Sequence, residues 1–294
     1  MLLTLGLALL LDRFVGEWPN RLHPVVWMGS AIRWCTDRAP ARGQLAYGIA
    51  IALGIPGAFA AAAWVLVQVP YASVVLGACL LKSCFAVRAL GEAGRDMQQA
   101  LARGDLERAR HGLRSLCSRD PSALGPRELA AGTVESLAEN ASDSVVAPLF
   151  WFAVAGVPGA VFYRATNTLD SMIGYHGKYE WLGKASARLD DVLNFVPARI
   201  TALLLLLGGA VTGGDLHAGW RVMRRDAGKT ESPNAGWPMA AMAGLLGVEL
   251  EKAGCYRLGE GGAPDALAIG RAWGVVVGGL LVAAPPMVCL ALVR

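Results

Sequence analysis

The chain has 294 residues, of which 54% are hydrophobic and only 17% charged. Ordinary soluble domains carry roughly 25% charged residues, so the composition argues against a soluble globular protein and for a membrane-embedded one. The formal net charge of +4 comes from interleaved bases and acids, not from the basic stripe of a nucleic-acid-binding protein.

In chain order, residues 1–11 are apolar and lack the positive n-region of a signal peptide, which predicts a retained, partly inserted first helix. The stretch DRFVGEWPNRLHPVVWMG (12–29) mixes charges, prolines and Phe14, Trp18 and Trp27. That mixture predicts an interfacial loop with tryptophan at headgroup depth. Residues 44–81 carry no charge, enough for nearly two passes of about 20 residues each. Gln68, Val69, Pro70 and Tyr71 would form the turn between them. Lys82, at the end of the second pass, is expected to snorkel toward the interface.

Residues 91–143 then form a largely polar helical segment, expected on the cytoplasmic side of a single integral membrane domain covering 1–294. Further charge-free runs occupy 144–163, 200–214, 232–248 and 272–293. The third begins SPNAGWP, whose Pro233 and Pro238 limit its helical length and favour a re-entrant or interfacial element. The expected fold is therefore all-α: a polytopic membrane protein of about four to six transmembrane helices, with re-entrant or interfacial helices. Fourteen Lys and Arg residues lie in 13–42 and 82–127. The positive-inside rule makes both segments cytoplasmic, which implies a multi-pass protein of the cell inner membrane.

The six cysteines form no CxxC pair, and the four histidines are scattered. No HExxH, Walker A or dinucleotide fingerprint occurs. Chemistry must instead come from four polar constellations at the edges of apolar runs. In VESLAENASDSVVAPLFW (134–151), Glu135, Glu139 and Asp143 recur at four-residue spacing, on the face that also carries Glu128. A solvated acidic face suits Glu128 best. Glu139, Asn140 and Asp143 stand where the chain turns apolar, and there a carboxylate is costly without a partner or a function. In YRATNTLDSMIGY (163–175), Arg164, Asn167 and Ser171 share a helical face, with Asp170 close by. Arg164 could clamp a phosphate or carboxylate, or neutralise an acid of the first constellation.

In ARLDDVLNFVPARI (187–200), Arg188 can meet Asp191, and Asp190 can meet Asn194. A membrane-boundary ion pair explains Arg188 as well as a ligand does. In ESPNAGWPMAAMAG (231–244), Ser232 or Asn234 could cap a short helix whose N-terminus accepts an anion. His23, before Pro24, suits a base or a helix cap. These groups could orient two substrates and metal-bound phosphates for ligation or phosphoryl transfer. They could equally line a transport pathway for a polyanionic solute or belong to a scaffold of a biosynthetic complex, so the residues alone leave these classes open.

Together and in this order, the N-terminal stretch and the four constellations resemble the adenosylcobinamide-phosphate synthase family, also called cobalamin biosynthesis protein D, across almost the whole chain. That resemblance implies an integral membrane amide ligase of the corrinoid pathway. Its substrates would be adenosylcobyric acid and (R)-1-amino-2-propanol O-phosphate or aminopropanol, its products adenosylcobinamide phosphate or cobinamide, and its drivers ATP and Mg²⁺. Besides the lipid bilayer, a second copy of the chain or other corrinoid-pathway enzymes are the implied partners; nucleic acid is not. Reading this chemistry onto the motifs nominates Glu135, Glu139, Asp143, Asp170 and Asp191 as catalytic. Glu139 and Asp143 would face the metal. Arg164, Arg188, Asn167 and Asn234 would hold the nucleotide or phosphate, and Asn140, His23, Trp27 and Tyr175 the substrates. A full span over 144–163 would put the second constellation across the membrane from the first. Gly156, Pro158 and Gly159 therefore predict a break there.

Overall fold

The computed structural model describes residues 1–117, 120–175 and 177–293. Helices dominate, arranged in two compact units. One comprises chiefly Met1–Val87 and Asp143–Asn194, the other Arg88–Ser142 and Phe195–Cys289.

The first unit opens with α1 (Leu2–Phe14), a single 3-10 turn at Asn20–Leu22 and α2 (Pro24–Thr36). Helix α2 starts where it does because Pro24 supplies its preset φ at the first helical position. His23 Nδ1 accepts the Val25 N–H at 3.2 Å and so satisfies one of the free donors of the first turn. The long apolar run divides as expected into α3 (Gln44–Leu66) and α4 (Ser73–Lys82). In the turn between them Tyr71 takes φ 63.

Lys82 corrects the snorkelling expectation. Its side chain has 0% exposure, and its ammonium contacts Glu17 Oε1 at 2.7 Å and Asp12 Oδ1 at 3.5 Å. Helix α1 packs on α4. The acids of the N-terminal stretch can therefore neutralise the lysine locally, which removes the need to reach water.

A π-helical turn, Ser142–Val146, leads into α8 (Ala147–Ile173). Its wider i→i+5 pattern releases carbonyls from the helical ladder. Two of them are taken up by other elements: Ala86 N–H donates to Ser144 O at 3.0 Å, and Tyr163 OH lies 3.3 Å from Asp143 O. The expected break in 144–163 is present. Ala155 (φ −132°, ψ 20°) and Gly156 (φ 66°, ψ −161°) leave the helical region, the latter in a conformation open essentially to glycine alone. The far end of α8 packs on α2 and α3 through Ile32, Ile51, Ile55, Leu169 and Ile173, joined by Leu182. Helix α9 (Lys184–Thr212) begins in this unit.

The second unit contains α5 (Val87–Ala102), α6 (Leu106–Leu113), α7 (Pro126–Ala141), the rest of α9, α10 (Leu216–Asp226), α11 (Gly236–Leu246) and α12 (Ala266–Val293). Aspartates cap three of its helices: Asp105 accepts Arg108 N–H, Asp215 accepts Ala218 N–H and Asp265 accepts Ala268 N–H. Glu128 is likewise a cap, accepting Gly125 N–H at 2.7 Å, so the first acid of its motif is committed to starting α7. Helices α9 and α12 approach so closely at Gly208 that a Cβ there would overlap the backbone of Val275 and Gly279. Such contacts are why glycine is abundant in packed membrane helices.

A feature not expected from sequence is a short antiparallel hairpin, β1 (Glu249–Lys252) with β2 (Tyr256–Gly259). The carboxylate of fully buried Asp226 anchors it. It accepts from both Arg225 Nε and Nη2 at 2.7 Å, and Gly259 N–H at 2.8 Å ties it to β2. Lys229 Nζ lies 2.6 Å away. Burial alone would raise this acid, but the hydrogen bonds from Arg225, Lys229 and Gly259 outweigh it and hold the carboxyl well below the usual range.

Five helical segments among the described residues are long and apolar enough to cross a membrane: Gln44–Leu66, Ser73–Ala102, Pro126–Ile173, Lys184–Thr212 and Ala266–Ala284. The protein is thus a multi-pass, all-α membrane protein within the expected range. Helix α11 has 11 residues and at 1.5 Å per residue reaches roughly half of a ~30 Å hydrocarbon core, in keeping with an element that does not span.

Candidate functional site

The polar groups of the first unit gather in two chains of contact. One lies between α8 and the start of α9. Tyr163 OH donates to Asn194 Oδ1 at 2.8 Å, and Asn194 Nδ2 donates to Asp190 Oδ2 at 2.9 Å. Asn167 Nδ2 donates to the other Asp190 oxygen at 3.3 Å. Arg164 Nη1 reaches Asn167 Oδ1 only at 3.5 Å, and Arg164 Nε is buried with no hydrogen-bond partner. Tyr163, Asp190 and Asn194 are all buried. Leu193 and Ala147 pack beside Tyr163, and Trp151 Nε1 donates to Leu193 O at 3.1 Å. A carboxylate held by two side-chain amides inside two apolar helices is costly, and such groups mark functional sites in membrane proteins.

The second chain joins α1, α4 and the loop between α1 and α2. Glu17 Oε1 takes Lys82, and Glu17 Oε2 lies 2.9 Å from His23 Nε2. Because His23 Nδ1 accepts a backbone N–H, the ring proton sits on Nε2 and points at Glu17. Burial would raise the Glu17 carboxyl, but the hydrogen bonds from His23 and Lys82 outweigh it and hold it below its ordinary value. Cys84, two residues after Lys82, is buried.

A family model described as CobD/Cbib protein matches residues 5–273 of the chain. The chain belongs to the CobD/CbiB family. It is similar to the cobalamin biosynthesis protein CobD of Dehalococcoides mccartyi, with 45% identity over 271 residues, covering 88% of this chain and 87% of that one. Identity to the CobD of Chromobacterium violaceum is 43% over 290 residues, covering 92% and 90% of the two chains. For the probable CobD of Methanothermobacter thermautotrophicus it is 39% over 260 residues, covering 87% and 86%. No solved structure matches the chain.

In this CobD/CbiB chain the expected site residues separate into several groups. Arg164 and Asn167 belong to the α8–α9 network. Asp143 contributes its backbone carbonyl to Tyr163 from within the π-turn, so the 3.6-residue phase that aligned it with Glu139 stops at Ala141, where α7 ends. Asp170 lies half-buried in the last turns of α8, and Tyr175 is exposed just beyond them. Arg188 and Asp191 pair with each other at 3.6 Å, with Arg188 largely exposed. His23 caps α2, and Trp27 Nε1 donates to Arg21 O at 3.0 Å.

In the second unit Glu135 is buried in α7, while Glu139 and Asn140 are half-buried. Asn140 Nδ2 donates to Ser136 O of its own helix at 2.9 Å. Asn234, buried ahead of α11, accepts Arg199 Nη1 at 3.1 Å, and the Arg199 guanidinium stacks between Phe195 and Trp237. Sequence reasoning noted the Asp190–Asn194 spacing but nominated Asp191 in its place. Tyr163, Glu17 and Lys82 join these networks without having been expected as site residues. The available signals were the four-residue spacing of Asp190 and Asn194 and a lysine closing a charge-free run.

Proposed function

We propose that the chain is a membrane-embedded amide ligase of cobalamin biosynthesis. In this reading it joins (R)-1-amino-2-propanol O-phosphate, or aminopropanol, to the free propionate of adenosylcobyric acid at the cost of ATP. The product is adenosylcobinamide phosphate or cobinamide. The observation that carries the reading is family membership over nearly the whole chain, together with a buried Asp–Asn–Tyr network inside apolar helices.

The chemistry assigns work to these residues. A carboxylate is a poor acyl donor, because its leaving group is oxide. Transfer of the ATP γ-phosphoryl group to the propionate oxygen gives an acyl phosphate and ADP. The amine nitrogen then attacks the acyl carbon, the C–O bond to phosphate breaks, and a base takes the nitrogen's proton. Arg164 would orient an anionic phosphate group through its buried Nε, which has no protein acceptor. Asp190 would hold Asn167 and Asn194 in place, and Asn194 in turn the hydroxyl of Tyr163.

Among the described residues no group of three or more His, Cys, Asp or Glu side chains could hold a metal ion. The described residues do not fit a resident metal centre. Magnesium would enter with ATP as substrate, its coordination shared with phosphates and water. Asp143 is the carboxylate proposed to face it. The polar segment 91–143 would lie on the cytoplasmic face of the inner membrane, where ATP is available.

The broken helix α8 is the observation that favours an alternative, a transporter of a polyanionic solute, since discontinuous helices build transporter sites. Purified protein in detergent, incubated with adenosylcobyric acid, each amine and MgATP, decides between them. Mass spectrometry should find the amide product and ADP. Absence of product, with uptake of the solute by reconstituted vesicles, would favour the transporter.

A further inference from the structure

The apolar part of α9 carries a single charge. Residues 195–212 number 18, and Arg199 is the only charged one among them. At 1.5 Å per residue they cover about 27 Å, close to the thickness of a hydrocarbon core. Arg199 stands about one turn from their start, so its long side chain can reach headgroup depth. It shares a helical face with Val196, Leu203 and Leu207. Those three are half-exposed and Arg199 is partly exposed. On a helix that crosses a membrane, an exposed apolar face meets lipid.

The guanidinium is held in a fixed plane. Nη1 donates to Phe195 O at 2.6 Å and to Asn234 Oδ1 at 3.1 Å. The ring centroids of Phe195 and Trp237 lie 3.6 and 4.7 Å from its central carbon. Asn234 is only 4% exposed, and its backbone N–H donates to Ser232 Oγ at 3.2 Å, so this acceptor is itself anchored. Both Nη1 acceptors are neutral. Among the described residues no carboxylate pairs with Arg199, and its Nε and Nη2 make no hydrogen bond. Nη1 lies on the Cδ side of the group. Nε and Nη2 therefore form the side edge, two parallel N–H donors that match two oxygens of one anion.

A cation at the margin of the hydrocarbon is costly without a partner. The two aromatic rings offset part of that cost, and the open edge can accept the rest of its compensation from an anion. That anion has to arrive along the face on which Arg199 sits, and that face meets lipid. We propose that the Nε–Nη2 edge of Arg199 binds the phosphodiester of an anionic phospholipid, whose acyl chains lie along Val196, Leu203 and Leu207. Asn234, Phe195 and Trp237 are the positioning residues that fix the plane of the guanidinium. Such a site does not depend on ligase activity.

Lipid binding to the purified, detergent-solubilised protein, read as an apparent Kd by native mass spectrometry, tests this without turnover. Wild-type protein should bind phosphatidylglycerol at least about tenfold more tightly than diacylglycerol, which has the same chains and no phosphate. Tenfold is about the scale of one charge-assisted hydrogen bond. Arg199→Gln should lose that advantage. Arg199→Lys should lose most of it too, because an ammonium keeps the charge without the planar edge. Arg221→Gln removes the same charge from an exposed position in the same unit and should keep the advantage.

Equal wild-type affinity for the two lipids would overturn the proposal, and no folding defect can obscure that comparison. So would an Arg199→Gln or Arg199→Lys protein that melts like wild type and keeps the preference for phosphatidylglycerol. A matching loss in Arg221→Gln would mark a diffuse charge effect and equally remove the site. Titration of the same samples with inorganic phosphate gives the last arm. Phosphate binding that needs Arg199, beside lipid binding that does not, would assign the edge to a soluble phosphate and sink the lipid site.

Discussion

Tyr163 and Asn194 are joined by a 2.8 Å hydrogen bond from the phenol to the amide oxygen, across two apolar helices. The amide nitrogen of the same asparagine donates to Asp190, so the tyrosine fixes which way the asparagine faces and thereby holds the carboxylate. Replacing Tyr163 by Phe leaves Asn194 Oδ1 buried without its donor. The expected loss is about 1–3 kcal/mol, read as a lowered melting temperature in detergent. An unchanged melting temperature would show that the phenol is dispensable to the network.

Asp143 is the residue on which the proposed phosphate chemistry most depends. Asp143→Asn keeps the volume and removes the charge. Turnover per folded molecule should fall by at least about 10²-fold, comparable with losing a strong transition-state electrostatic contact. Normal turnover with an unaltered magnesium titration would exclude Asp143 from facing MgATP.

The hairpin anchor carries a pH signature. Asp226 has a folded-state pKa below its ordinary value because the contacts from Arg225, Lys229 and Gly259 outweigh its burial. Its contribution is therefore complete above the unfolded carboxylate value of about 4 and is lost as pH falls below it toward the folded value. Protection factors of the β1–β2 amides, corrected for the intrinsic exchange rate at each pH, should stay high at pH 7 and pH 5 and fall only in stronger acid. Asp226→Asn should remove that acid dependence and cost roughly 1–3 kcal/mol at pH 7. This is modest for a buried pair, because Arg225 and Lys229 stay half-exposed and can rehydrate. Hairpin exchange in that variant matching wild type at pH 7 would contradict the anchoring role.

Helix contact at Gly208 tolerates no side chain, since a Cβ would overlap backbone atoms of Val275 and Gly279. Gly208→Ala should destabilise by about 1–3 kcal/mol through forced separation of α9 and α12. Gly274→Ala, on α12 with no atom within 4 Å of the added Cβ, should have little effect. Equal melting of the two variants would refute close packing at that crossing.

Much of this protein could be read from its residues in order. Residues 44–81 were long enough and apolar enough to require a helical hairpin, and Pro70 marked its turn. Gly156, near Pro158 and Gly159, marked the break in α8, because a backbone conformation reserved for glycine needs no tertiary partner to be recognised. Five motifs in fixed order sufficed for the family. What lay beyond the sequence were the relations between helices. The choice of Asp190 over Asp191 depends on which side of α9 meets α8, a rotation that a single helix does not encode. The helix changes to a π-turn at Ser142–Val146, and nothing in SDSVV announces one. Lys82 read as a snorkelling lysine until α1 packed on α4 and brought Asp12 to its side, with Glu17 reaching it from the loop that follows. Hydrophobic length and backbone stereochemistry are local properties, written along the chain. Partner choice for a buried charge is decided only when separate helices desolvate it together.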